Sequence, residues 1–61
     1  MRQVDISCHP DHDHPYLVWY MDQSRIVFNR RYASIRAADQ DITRWLRIGA
    51  LPGLIGSATQ I

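Results

Sequence analysis

Near its start the chain alternates between apolar and polar side chains. Val4, Ile6 and Cys8 are separated by polar residues, which predicts a short strand with one buried face. Proline has no backbone N–H to give to a strand ladder, so this strand should end before Pro10. Residues 9–15 read HPDHDHP and predict a polar loop framed by prolines.

A β-hairpin is predicted by the two segments that follow. Residues 16–21, with the sequence YLVWYM, are rich in the β-branched and aromatic side chains that favour strands. Asp22-Gln23-Ser24 reads as a turn, and residues 25–33 read as the second strand. Simple alternation places Arg25, Asn29 and Arg31 on one face of that strand and Ile26, Phe28 and Tyr32 on the other.

The helix has the clearest pattern in the chain. Apolar side chains recur at helical spacing and form one stripe about 100° wide, which consists of Ile35, Ala38, Ile42, Trp45 and Leu46. Ser34 can cap the N-terminus, Gly49 can end the helix, and Pro52 blocks its continuation. Residues 54–61 are only weakly patterned, and we interpret them as a short last strand or a frayed tail.

Together these elements predict an α+β fold in a single domain, residues 1–61. A small antiparallel sheet, made of the N-terminal strand and the hairpin, is covered on one face by a single amphipathic helix. In residues 16–21 the side chains on both faces of the predicted strand are apolar, and one helix covers only one face. We therefore expect a second copy of the chain, or a protein partner, to cover the other. The candidate contact residues are Tyr16, Val18, Trp19 and Tyr20, with Leu17, Trp19 and Met21 as the alternate set.

The length of the chain strengthens the expectation of self-association. A domain of 61 residues and 7.1 kDa is marginally stable, and natural domains of this size are reinforced by disulfides, a metal or oligomerisation. Cys8 is the only cysteine, which excludes an intrachain disulfide. A free thiol fits the reducing cytoplasm. No segment approaches the roughly 20 apolar residues of a membrane span, so we expect no membrane partner.

The charged residues are divided along the chain. Residues 1–23 hold one Arg and four Asp, a net charge of −3, whereas residues 24–61 hold six Arg and two Asp, a net charge of +4. Guanidinium groups pair with phosphate and stack on bases, so an arginine surface is typical of nucleic-acid binding. The candidate residues are Arg25 and Arg31 on the hairpin and Arg36, Arg44 and Arg47 on the outer side of the helix.

The candidate ligands of a metal site are Cys8, His9, His12 and His14. Thiolate and imidazole are ligands that zinc prefers. Structural zinc sites usually draw two pairs of ligands from separate segments, whereas these four lie within seven residues. One loop would supply two or three ligands, and a second subunit would supply the rest.

No catalytic constellation is predicted. The chain has no Lys and no Glu, which excludes a Schiff-base lysine and a glutamic acid with a raised pKa. Cys8 and His9 are neighbours on a strand, so their side chains point to opposite faces. We expect a non-enzymatic, self-associating binding or regulatory module without a cofactor, which forms a homodimer through its apolar strand and contacts a protein partner. Nucleic-acid binding and metal binding are the alternative functions.

Overall fold

The computed structural model of the protein describes residues 1–52 as three strands followed by one helix. The elements are β1 (Arg2–Cys8), β2 (Tyr16–Asp22), β3 (Arg25–Tyr32) and α1 (Ile35–Ile48). The sheet order is β1-β2-β3, and both pairings are antiparallel. The predicted α+β fold, a three-strand sheet with one helix against it, is confirmed. The interpretation of residues 54–61 as a strand or tail lies outside the described residues.

The core lies between α1 and one face of the sheet. Its buried residues come from β2, β3 and the helix and are Val18, Tyr20, Tyr32, Ala38, Ile42 and Trp45. The Trp45 and Tyr20 rings meet edge to face, with 6.2 Å between centroids. The Trp45 Nε1 donates a hydrogen bond to the Gln3 carbonyl at 3.2 Å. The helix is thereby attached to the central strand and to the first strand.

Two residues of the predicted apolar stripe stay largely outside this core. Ile35 is 53% exposed and Leu46 is 44% exposed, whereas Ala38, Ile42 and Trp45 are buried. Three strands span about 10 Å from the first axis to the last, which is about the diameter of one helix with its side chains. The sheet is therefore no wider than the helix, and it buries only the part of the stripe that consists of Ala38, Ile42 and Trp45.

An irregular register changes the faces predicted for β3. Phe28 pairs with Tyr20 but Ile26 pairs with Met21, so that Val27 is an extra residue at a β-bulge. Ile26 therefore does not share a face with Phe28, and this part of the prediction is wrong. Simple alternation fails here because a bulge shifts every residue on one side of it to the opposite face.

The helix ends where the local signals predicted. The Ser34 hydroxyl accepts a hydrogen bond from the Ala37 N–H at 3.2 Å, which satisfies one unpaired donor of the first turn. At the other end, Gly49 has φ 73° and its N–H donates to the Trp45 carbonyl at 2.9 Å. Glycine adopts this left-handed conformation without a Cβ clash. Both caps are local, so the helix limits depend little on the sheet.

The β2–β3 turn contains backbone strain that its sequence does not relieve. Gln23 and Ser24 have φ values of 52° and 66°, the signature of a type I′ turn, which favours Asn-Gly. We expect the double substitution Gln23→Asn and Ser24→Gly to raise the free energy of unfolding by about 1 kcal/mol. Urea denaturation at fixed protein concentration measures it. An Ala-Ala turn is the control, and a variant no more stable than that control would contradict the prediction.

Candidate functional site

The face of the sheet opposite the helix carries a row of apolar side chains along β2. Leu17, Trp19 and Met21 form this row, because they alternate with the residues buried under α1. All three are half-buried, and no helix or strand of residues 1–52 packs over them. Ile26, which is 59% exposed, joins the row through its pairing with Met21. We call this surface of four residues the open face.

The open face has an acidic flank and a basic flank. Asp5 on β1 pairs with Trp19, and Arg31 on β3 pairs with Leu17, so both charged residues belong to the same side of the sheet as the apolar row. The Asp5 Oδ1 accepts a hydrogen bond from the Ile6 N–H at 3.0 Å. An Arg31 guanidinium nitrogen donates to the His14 carbonyl at 3.5 Å. Charge is therefore distributed asymmetrically across a central apolar strip.

The structure places the predicted partner-contact residues on two different faces. Val18 and Tyr20 have no exposed surface because the protein's own helix covers them, and Tyr16 packs against the same core. These three therefore do not form a free surface, and the prediction is corrected on that point. Trp19 lies on the open face with the alternate set. Ile26 was missed because no feature of the sequence marks the bulge that brings it there.

A chain of hydrogen bonds connects the sheet to the helix inside the core. The hydroxyls of Tyr20 and Tyr32 are hydrogen-bonded to each other, and the Tyr32 hydroxyl donates to the Asp41 Oδ2 at 2.8 Å. Burial raises the pKa of both tyrosines, and the hydrogen bonds to Tyr20 and Asp41 raise the pKa of Tyr32 further. Both hydroxyls are enclosed and engaged, so they stabilise the fold rather than serve as exposed acids. Sequence spacing alone did not connect these residues.

The residues of the predicted metal loop do not converge on one point. Cys8, His9 and His12 line an open cavity of about 360 Å³ together with Arg31, but within residues 1–52 no three His, Cys, Asp or Glu side chains are placed to hold a metal ion. The His12 Nδ1 instead accepts a hydrogen bond from the His14 N–H at 3.1 Å. The loop is closed by its own hydrogen bonds, including His9 N–H to the Pro15 carbonyl at 2.7 Å.

The five predicted nucleic-acid contacts do not form one surface. Arg25 pairs with Asp22 on the helix side of the sheet, while Arg31 lies on the open face, because the bulge separates them. This corrects the prediction that they share a face. The remaining three, Arg36, Arg44 and Arg47, are exposed on the helix. Two further guanidinium groups stack on core rings, Arg2 on Trp45 at 5.8 Å and Arg30 on Tyr32 at 5.5 Å.

Comparison of the chain with protein-family models, curated proteins and solved structures gives no match. Among the helices of residues 1–52, none has the length and apolar character needed to cross a membrane. The function is therefore inferred from the geometry of the described residues.

The tyrosine pair should make the protein sensitive to alkaline pH. Ionisation of Tyr in the unfolded chain begins near pH 10, while the folded chain keeps Tyr20 and Tyr32 protonated to higher pH. The stabilisation is complete below about pH 10 and is lost above it, by up to about 1.4 kcal/mol per pH unit per tyrosine. Urea denaturation above about pH 10 should show this decline in the free energy of unfolding. The decline per pH unit should be smaller in Tyr32→Phe.

At neutral pH Tyr32→Phe should lower the free energy of unfolding by about 1–3 kcal/mol, because it leaves the Asp41 carboxylate without its hydrogen-bond donor. Tyr16→Phe is the matched control, since the Tyr16 hydroxyl is outside this chain of hydrogen bonds, and it should change stability little. Equal losses in the two variants, or an unchanged alkaline slope in Tyr32→Phe, would contradict the assignment.

Proposed function

We propose that this protein is a small non-enzymatic binding or regulatory module that functions as a homodimer through its open face. The observation that carries the proposal is the uncovered row of Leu17, Trp19 and Met21 on the central strand. Central strands that are apolar on both faces are typical of sheets buried on both sides. In the described chain only the helix side has a covering layer.

A second copy would supply the missing layer in a common architecture. Two sheets pack face to face about 10 Å apart, with their inner side chains interdigitating. Here each copy would contribute the open face, with three aliphatic side chains and a tryptophan flanked by polar residues. Trp is one of the side chains enriched among the residues that contribute most binding energy near the centres of protein interfaces. The arrangement would bury apolar surface that a chain of this size needs for stability.

Removing the central aromatic residue should dissociate the dimer. We expect the unmodified protein to have twice the mass of one chain, and Trp19→Ser to raise the dissociation constant at least thirtyfold, about 2 kcal/mol of lost interface energy. Sedimentation equilibrium across a concentration series measures both. Circular dichroism verifies that the variant remains folded.

The control is Ile35→Ser, which removes an apolar side chain that is 53% exposed from the helix side. It should leave the dissociation constant unchanged. A wild-type protein that remains monomeric up to about 100 μM, well above the micromolar range of a modest interface, would overturn the proposal. So would a Trp19→Ser variant that dimerises like the wild type.

Nucleic-acid binding is the second candidate function, and the outer side of the helix favours it. Arg36, Arg44 and Arg47 are exposed there, and the ion pair present among residues 1–52 joins Asp22 to the N-terminus rather than to any of them. Phosphate groups are the partner that unpaired guanidinium groups on a helix suit best.

Salt titration tests this candidate. If phosphates contact the helix, Arg36→Ala with Arg47→Ala should reduce the log–log salt slope of duplex binding by about 1.8, or about 0.9 per contact. Arg25→Ala removes one positive charge from the sheet, outside the open face, and should leave the slope unchanged. Fluorescence anisotropy with a labelled duplex measures the affinity at each salt concentration. An absence of binding at about 50 mM salt, where phosphate contacts are strong, would exclude this function.

A further inference from the structure

We infer that the two copies pack with their two-fold axis parallel to the strands, so that Asp5 of each copy faces Arg31 of the other. The inference rests on the proposed self-association and specifies its geometry. It follows from the positions of one acidic and one basic residue on opposite flanks of the open face.

The positions of the two charges within the sheet are fixed by the strand register. Asp5 lies in the same cross-strand row as Trp19, and Arg31 lies in the next row, beside Leu17. The two rows are separated by two residues along β2, or about 7 Å. On a single copy the two charges also lie on different edge strands, about 10 Å apart across the sheet. They are therefore not partners within one chain, and no ion pair joins them.

Face-to-face packing of identical sheets allows two simple directions for the two-fold axis. If the axis runs across the strands, β1 lies over β1 of the partner and β3 lies over β3. When the axis passes through the Trp19 row, Asp5 of one copy faces Asp5 of the other. When the axis passes through the Leu17 row, Arg31 of one copy faces Arg31 of the other. Like charges that face each other across an interface are destabilising. The two opposite charges, on different flanks, never meet.

If the axis runs along the strands, β1 of one copy lies over β3 of the other. Asp5 then lies one row away from Arg31 of the partner, an offset of about 7 Å that the long arginine side chain can span. To do so, the guanidinium group exchanges its 3.5 Å contact with the His14 carbonyl for the carboxylate of the partner. Directly over Arg31 lies Ser7 of the partner, a small residue that leaves room for the guanidinium group. Two symmetry-related ion pairs form, one on each side of the apolar strip.

The same axis places the tryptophans at the centre of the interface. Because Trp19 lies on β2, between the two flanks, its ring meets Trp19 of the other copy close to the axis. Aromatic pairs in offset or edge-to-face contact add stability beyond the area that they bury. Charge complementarity thus determines the direction of the axis, and the aromatic pair supplies the contact through which it passes.

Charge reversal tests the geometry. We expect Asp5→Arg alone and Arg31→Asp alone each to raise the dissociation constant of the dimer about tenfold or more, because each places like charges face to face. The double variant restores opposite charges and should return the dissociation constant to within about threefold of the wild-type value. Sedimentation equilibrium at about 50 mM salt keeps screening low.

Two further variants serve as controls. Asp5→Asn keeps an acceptor for the Ile6 N–H and removes only the charge, so it should weaken the dimer less than Asp5→Arg does. Asp39→Arg makes the same charge reversal on an exposed helix position and should leave the dissociation constant unchanged. A loss of the same size in Asp39→Arg would indicate an effect of net charge and would overturn the inference.

The remaining outcomes separate this inference from the proposal on which it rests. A wild-type dimer that Trp19→Ser dissociates, but that shows no rescue in the double charge reversal, would overturn the axis and leave self-association through the open face standing. A monomeric wild-type protein would overturn both. Rescue by the double variant supports both.

Discussion

The central strand β2 is apolar on both faces, and a single helix can bury only one of them. The rest of the structure is organised around this constraint. Val18 and Tyr20 lie fully buried beneath α1, whereas Leu17, Trp19 and Met21 remain half-buried on the other side. Burial of large apolar side chains is the main source of stability in a chain this short. The apolar strip that no element of residues 1–52 covers is therefore the feature on which the proposed function rests.

Polar contacts decide which side of β2 the helix covers. The hydroxyls of Tyr20 and Tyr32 connect the sheet to Asp41 on the helix, and the Trp45 indole reaches the backbone of β1. Buried polar groups are costly unless they are paired, so these contacts favour one helix position over others of similar apolar area. They hold the tyrosine side of β2 against α1 and leave the tryptophan side open.

The two candidate functions use opposite sides of the molecule. A dimer formed through the open face would leave the outer surface of each helix exposed, with Arg36, Arg44 and Arg47 on each of two outward surfaces. Self-association and nucleic-acid binding are therefore compatible, and dimerisation would double the number of arginines available to a polyanion. The metal function has no such support, because the histidines of residues 9–15 do not converge with Cys8 in the described chain.

Local sequence determined the order of the elements, the polar loop and both helix caps, because capping, turn formation and strand alternation depend on residues close together in the chain. Ser34 and Gly49 are examples. It also showed that β2 is apolar on both faces. Only the tertiary structure decided which face the helix covers, that a bulge moves Ile26 to the open face, and that Asp5 and Arg31 flank it. These features arise from the pairing of separate strands and from helix packing, and in a strand pair a shift of one residue changes the face of every side chain beyond it.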